Sequence, residues 1–199
     1  MKKKKYLFYL NTFNDTDHLV PIIYKFLKKK EKVEVIYLSK FNYKEDYRIK
    51  FLLNYKNLSI SKASKLMYLK NKIFSNRFIS KFRSLCPDII NKNISYIISP
   101  ELKNVACVIY EWGAPNRLNH FNTKTLLIPS ICLPHGLSIF KNYDFNEHVK
   151  KIKKETGRWP DHSDRNLFDI YVFQSDRHRK MACDWGQDPK KTFVWGSAR

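Results

Sequence analysis

Glycine is scarce in this chain of 199 residues: there are five, and the first is Gly113. Neither G-x-G-x-x-G nor G-x-x-x-x-G-K-[ST] occurs, which argues against a standard dinucleotide fingerprint or P-loop. Cysteine is sparse too. Cys86, Cys107, Cys132 and Cys183 lie far apart and no C-x-x-C exists, which argues against a zinc site or a thioredoxin-like motif. Scattered thiols of this kind suit a reducing cytoplasm. No run of about 18 apolar residues is present, so no helix of this sequence is expected to span a bilayer. Acids are outnumbered, 18 against 38 Lys and Arg, for a net charge of +20. That excess admits nucleic acid, an anionic membrane surface or phosphorylated substrates as partners. Nucleic acid is not expected among them, because no RGG run or recognised nucleic-acid motif supports it. Part of the lysine excess also belongs to a general abundance of Lys, Asn, Ile, Tyr and Phe.

What remains is a globular composition. Hydrophobic residues make up 43% and aromatics 15%, and a domain of this size buries about 70% of its unfolded surface without a disulfide or metal. The start, MKKKKYLFYLN, resembles a signal peptide for a few residues, but its apolar run is too short and no small-residue cleavage site follows. It reads instead as a basic start and a first strand, Tyr6–Leu10. Leu19, Ile22, Ile23, Phe26 and Leu27 then recur at helical spacing to about Lys30. Asp15, Thr16 or Asp17 is expected to cap this helix, with Pro21 in its first turn. Val33–Ser39 reads as a second strand. Strand, helix and strand in this length make a βαβ unit and a parallel sheet.

Further along, residues 44–57 read as helical. Residues 61–85 read as a long basic helix or helix pair, with anionic lipid a candidate neighbour; Pro87-Asp88 ends it. Strands are expected at Ser95–Ser99, Val105–Tyr110, Thr125–Ile131, Asp169–Gln174 and Lys191–Trp195, with helices over much of 145–156 and from Ser175 or Asp176 to Trp185. Gly186 is expected to close the last helix. The fold class expected is α/β, a Rossmann-like parallel sheet flanked by helices.

Three glycines directly follow strand-like runs: Gly113 in YEWGAP, Gly136 in LPHGLS and Gly196 in VWGSAR. Open α/β sheets bind ligands at the carboxyl ends of their strands, so the second half is expected to carry the site. His135 precedes Gly136 there. A neutral imidazole can take a proton from a hydroxyl, and it can equally well do no more than hydrogen-bond a neighbouring strand end. Ser138, Lys141, Asn142 and Asp144 lie nearby in sequence. His120, His148, His162 and His178 have no ligand spacing, and D-H-S-D at 161–164 reads as a polar loop, so no metal site is expected. Trp185 and Trp195 read as packing residues, as does Trp159, although its place in a loop makes it the best sugar-platform candidate.

The ordered string LPHG, FDIYVFQS, WGQDPKK and VWGSAR, best over residues 125–199, resembles the CDP-glycerol glycerophosphotransferases (teichoic-acid polymerases) and related transferases with two Rossmann-like domains. NDP-sugar 2-epimerases share that general architecture. The resemblance implies the N-terminal half of a GT-B-type architecture: residues 1–199 as a single acceptor-side domain with the C-terminal donor domain absent, a fragment or a truncated product that is not expected to turn over alone. It implies that His135 is the general base that activates an acceptor hydroxyl. Glu111 would orient His135 or bind acceptor hydroxyls. Gly136 and Ser138 would border the substrate, and Arg117, Lys141 and Arg199 would hold phosphate. No cofactor is implied; a nucleotide-activated donor, CDP-glycerol or an NDP-sugar, would be a substrate. The other partners implied are a lipid-linked or polymer acceptor and an anionic membrane surface, on the cytoplasmic face of the cell membrane. Two alternatives stand beside this reading: an NDP-sugar 2-epimerase-like domain, and a non-catalytic basic α/β module that binds membrane or a partner.

Overall fold

The computed structural model describes residues 4–38, 42–74, 81, 83, 85–111, 120–133, 147–159 and 161–196. Seven strands form one sheet: β1 Lys5–Leu10, β2 Lys32–Tyr37, β3 Leu58–Lys62, β4 Val105–Glu111, β5 Ser130–Leu133, β6 Ile170–Phe173 and β7 Thr192–Val194. Their spatial order is β3-β2-β1-β4-β5-β6-β7, and every neighbouring pair is parallel. The order reverses between β1 and β4, which is where an open α/β sheet leaves a crevice at its carboxyl edge. The α-helices among the described residues are α1 Phe13–Lys28, α2 Tyr47–Leu52, α3 Lys65–Phe74, α4 Asp88–Ile98, α5 His120–Thr125, α6 Glu147–Thr156 and α7 Asp176–Asp184.

Alternation along β1 builds the two cores. Leu7, Phe8, Tyr9 and Leu10 are all fully buried. Phe8 and Leu10 join Leu19, Ile23 and Leu27 of α1 and Ile49 and Leu52 of α2 on one face. Leu7 and Tyr9 join Leu102, Val108, Tyr110, Phe168 and Ala182 on the other. A strand buried on both faces must be apolar at every position, as β1 is from Leu7 onward.

Several boundaries differ from the sequence expectation. Thr12, not Asp15, Thr16 or Asp17, caps α1: its hydroxyl accepts from the Asp15 N–H at 3.2 Å. The helix therefore starts earlier, and Pro21 lies inside it rather than in its first turn. The reach of 61–85 is also corrected. Leu58–Lys62 is the edge strand β3, and α3 begins at Lys65. Five residues with little burial give a weak alternation signal. Ser95–Ser99 is not a strand, because Asp88–Ile98 is helix α4; its isoleucine-rich run lies mostly on the exposed side, while Asn91 and Ser95 are buried. In 44–57 only a 3-10 turn, Tyr43–Glu45, and α2 are helical. α5 occupies the start of the expected 125–131 strand, which shrinks to Ser130–Leu133.

Gly186 closes α7 as expected. At φ +97° it lets the Gly186 N–H reach the Cys183 carbonyl at 2.9 Å and the Gln187 N–H reach Ala182 at 3.0 Å, which is the Schellman pattern. A Cβ there would also stand 2.9 Å from Asp161 Oδ1.

The loops entering β6 and β7 meet at the amino edge of the sheet. Asn166 Oδ1 accepts from the Asp188 N–H at 2.7 Å, and its amide donates to the Gly186 carbonyl at 2.9 Å. His162 lies buried beside Trp185, ring centroids 5.0 Å apart and nearly perpendicular. Arg165 Nη1 lies 2.9 Å from His162 Nδ1. Burial first, and Arg165 second, push the His162 imidazole down to about 3. The unfolded chain therefore takes up a proton that the folded chain refuses. This contribution is complete above pH 6.5 and costs up to ~1.4 kcal/mol per pH unit on the way down to about 3. Urea unfolding across that range should show His162→Phe with a flatter acid decline than the parent. Parallel declines would contradict the assignment.

Candidate functional site

At the carboxyl edge, Tyr9 of β1 pairs with Tyr110 of β4, their rings stacked at 5.3 Å. Glu111 closes β4 and pairs with Leu133, the last residue of β5. The ends of β1, β4 and β5 are thus side by side at the strand-order reversal.

The first βα turn is filled by protein. Asp15, 1% exposed, accepts the Asn11 backbone N–H at 2.6 Å and the Thr12 hydroxyl, while Thr12 caps the Asp15 N–H in return. Thr12 and Asp15 thus bond reciprocally as in a capping box, with the Asn11 N–H in place of the N-cap N–H. This sets a carboxylate against the positive end of α1. The place where dinucleotide folds seat a pyrophosphate is therefore taken by a buried anion, in accord with the missing glycine fingerprint.

A polar cluster braces that turn. Thr16 and Tyr37 share a 2.7 Å hydroxyl contact, and Tyr43 stacks on Tyr37 at 4.7 Å. Burial pushes the Tyr37 phenol up to about 12, so it stays neutral. Arg48, 8% exposed, grips Asp46 through Nε at 2.9 Å and Nη2 at 2.5 Å, and reaches Asp17 of α1 through Nη1 at 2.6 Å. Its guanidinium also lies 4.0 Å from the Phe13 ring centroid. The Arg48 hydrogen bond holds the Asp46 carboxyl below its usual range. Sequence reasoning missed this clip; nothing in D-Y-R distinguishes a buried pair from a solvated one.

Of the expected site residues, Glu111 is placed by its backbone at the end of β4, and its side chain is outside the description. His135, Gly136, Ser138, Lys141, Arg117 and Arg199 lie outside the described residues. In sequence His135 follows Leu133 by two positions, and β5 is the strand beside Glu111. Gln174, also missed from sequence, follows β6 at the same edge. Its Oε1 is buried and has no hydrogen-bond partner among the described residues. β6 pairs with β5 through Cys132↔Tyr171, so Gln174 stands on the strand next to the one that leads to His135.

Trp159 is not at this edge. It precedes β6, stacks on Trp185 at 5.5 Å and has Lys153 Nζ 3.6 Å from its ring centroid. A ring engaged twice on the amino edge packs protein rather than presenting a sugar platform. Asp161 is likewise occupied, accepting from the Ser163 N–H at 2.8 Å and hydroxyl at 2.9 Å. No group of three metal-ligating side chains occurs among the described residues. An open cleft of about 250 Å³ lies between β2, β3, α3 and Pro100–Glu101. Its two acids are already engaged, Glu34 by Lys5 and Glu101 by the Tyr9 hydroxyl.

No protein-family model and no curated protein sequence matches this chain. Solved structures do match in fold. One, assigned as a UDP-N-acetylglucosamine 2-epimerase from Listeria monocytogenes, aligns over 99% of this chain and 46% of its own, with 14% identity and a TM-score of 0.56. A glycosyltransferase from Rickettsia africae aligns over 98% of this chain and 43% of its own, with 15% identity and a TM-score of 0.53. Anabaena HepE, solved in complex with UDP and glucose, aligns over 98% and 44%, with 9% identity and a TM-score of 0.50. The chain spans about half the length of these proteins. Its fold is the Rossmann-like α/β fold of GT-B-type proteins.

Two predictions test the carboxyl edge. Arg48→Met should cost about 3–5 kcal/mol in denaturant unfolding, because it leaves Asp46 buried and unpaired; a loss below ~1 kcal/mol would class the pair with surface ion pairs. Gln174→Leu removes an orphaned amide oxygen, whose burial costs about 1–3 kcal/mol. The ligand-free variant should therefore melt a few degrees higher by calorimetry. A lower midpoint would mean that the amide is bonded in the folded chain.

Proposed function

We propose that this chain is a transferase domain for cell-surface polysaccharide or teichoic-acid-like polymer assembly. It moves a glycosyl or glycerophosphate group from a nucleotide-activated donor to an acceptor hydroxyl. His135 takes the hydroxyl proton. The acceptor oxygen bonds to the anomeric carbon or phosphorus of the donor, and the bond to the nucleotide breaks, its electron pair leaving with the nucleotide phosphate. Glu111 orients His135 or binds acceptor hydroxyls. Gly136 and Ser138 border the acceptor, while Arg117, Lys141 and Arg199 offset phosphate charge. The acceptor is lipid-linked or polymeric, met at the cytoplasmic face of the membrane.

The observation that carries this reading is the pairing of Glu111 with Leu133 at the strand-order reversal, two positions before the His-Gly dipeptide. The α1 amino terminus, already occupied by Asp15, supports an acceptor role for this domain. The donor nucleotide then belongs to a second Rossmann-like unit, in keeping with the half-length match to the solved structures.

The fold match to the Listeria epimerase favours a second reading, an NDP-sugar 2-epimerase-like domain. The two separate on product: incubation with UDP-N-acetylglucosamine gives the C2-inverted sugar nucleotide only for an epimerase.

In the full-length protein, incorporation of label from CDP-glycerol or UDP-glucose into membrane polymer should fall about 10²–10⁴-fold in His135→Ala, the usual weight of a general base. Incorporation at the parent rate would remove His135 from that role.

A further inference from the structure

Helix α4 is built inside out. Its buried positions include Asn91 and Ser95, at 8% and 0% exposure, together with Ile98. They face Arg83, whose Nη2 donates to Ser95 Oγ at 2.7 Å and whose backbone carbonyl accepts from the Asn91 amide. Its outward positions include four large apolar side chains: Ile89 and Ile97 are each 70% exposed, Ile90 47% and Tyr96 40%, beside exposed Asp88, Lys92 and Asn93. At about 100° per residue these four fall within roughly 120° of the helix surface. They share one side of the helix, with Asn93 the single polar residue among them. Leu85 precedes them, also exposed, and Leu69 and Ile73 are exposed on the neighbouring α3. Lys70 of α3 joins the two helices by donating to the Ile97 carbonyl at 3.4 Å. An exposed apolar patch over a buried polar face marks an interaction surface.

The charge around the patch identifies its partner. Among the described residues from 61 to 98, Lys62, Lys65, Lys81 and Lys92 are exposed and Lys70 half-buried, against a single acid, Asp88. A second copy of this chain, itself at +20, would be repelled. Nucleic acid is held by phosphate contacts and stacking aromatics; a convex row of isoleucines offers it neither. A bilayer with anionic headgroups satisfies both features: isoleucines enter the headgroup–acyl boundary, lysines meet the phosphates, and Tyr96 takes the interfacial position that suits its polar tip. We propose that the outward face of α4, extended by α3, docks this protein on an anionic membrane surface. This goes beyond the transferase reading and stands without it.

The test uses vesicles of phosphatidylcholine with about one-third phosphatidylglycerol, against phosphatidylcholine alone. The full chain should co-sediment with the anionic vesicles and only weakly with the neutral ones. Ile89→Asp/Ile97→Asp should lose at least about tenfold in affinity with an unchanged circular dichroism spectrum, both side chains being exposed. Lys92→Gln should lose about fivefold, the weight of one basic residue near such a surface. Hydrogen exchange gives a readout without mutation: vesicles should slow exchange across residues 88–98. His135→Ala should bind as the parent does, so failure of the base assignment leaves this result untouched. The proposal is overturned if the parent ignores phosphatidylglycerol, if the aspartate variant binds undiminished, or if residues 88–98 gain no protection. Binding to duplex RNA that the aspartate variant loses in parallel would overturn it in favour of nucleic acid.

Discussion

Everything in this fold hangs on β1. Its side chains alternate between the two cores, Phe8 and Leu10 toward α1 and α2, Leu7 and Tyr9 toward the opposite layer. It pairs in parallel with β2 on one side and β4 on the other. Those two pairings create the reversal of strand order, the place where open α/β sheets bind ligands. A polar residue among positions 7–10 would open one core or the other, since no face of the strand meets water. The constraint explains why the strand is aromatic and aliphatic from Leu7 to Leu10, with no polar residue between.

The turn after β1 carries the next consequence. A parallel sheet presents helix amino termini at its carboxyl edge, and these attract anions. Here the α1 terminus is satisfied from within by Asp15, Thr12 and the Asn11 amide, and Arg48 ties the first turn of α1 to α2 through Asp17 and Asp46. The chain thus gives up an anion site at β1 for a rigid wall. The proposed chemistry is left to the ends of β4, β5 and β6, where Glu111 and Leu133 close adjacent strands and Gln174 follows the next one.

The sequence was most legible where burial and local chemistry agree. Tyr6–Leu10 and Val105–Tyr110 are apolar because both faces are covered, as is Val33–Tyr37 apart from Glu34, and they form β1, β4 and β2. Ser175 and Gly186 bracket α7 because a hydroxyl cap and a left-handed glycine work locally. Legibility failed where tertiary contacts override the pattern. LSISK is strand β3 because β2 offers it an edge. NKNISYII mimics a strand because Tyr96 and Ile97 lie outward while Asn91 and Ser95, which meet Arg83, are buried beside Ile98. The same inversion that hid the helix from the sequence exposes the surface proposed for membrane docking. At the site, the H-G dipeptide drew attention to the end of β5. Gln174 and the Arg48 clip carried no signal, because burial of a polar group is a property of the folded chain.

The central claim is that substrates meet this domain at the carboxyl edge, beside the β1–β4 reversal. The most direct measurement is hydrogen exchange with and without membrane polymer, the acceptor of the incorporation assay. The account predicts slowed exchange at residues 111, 133–136 and 174–175, with residues 11–12, 159–169 and 185–191 unchanged. Slowing confined to those two amino-edge loops would contradict it.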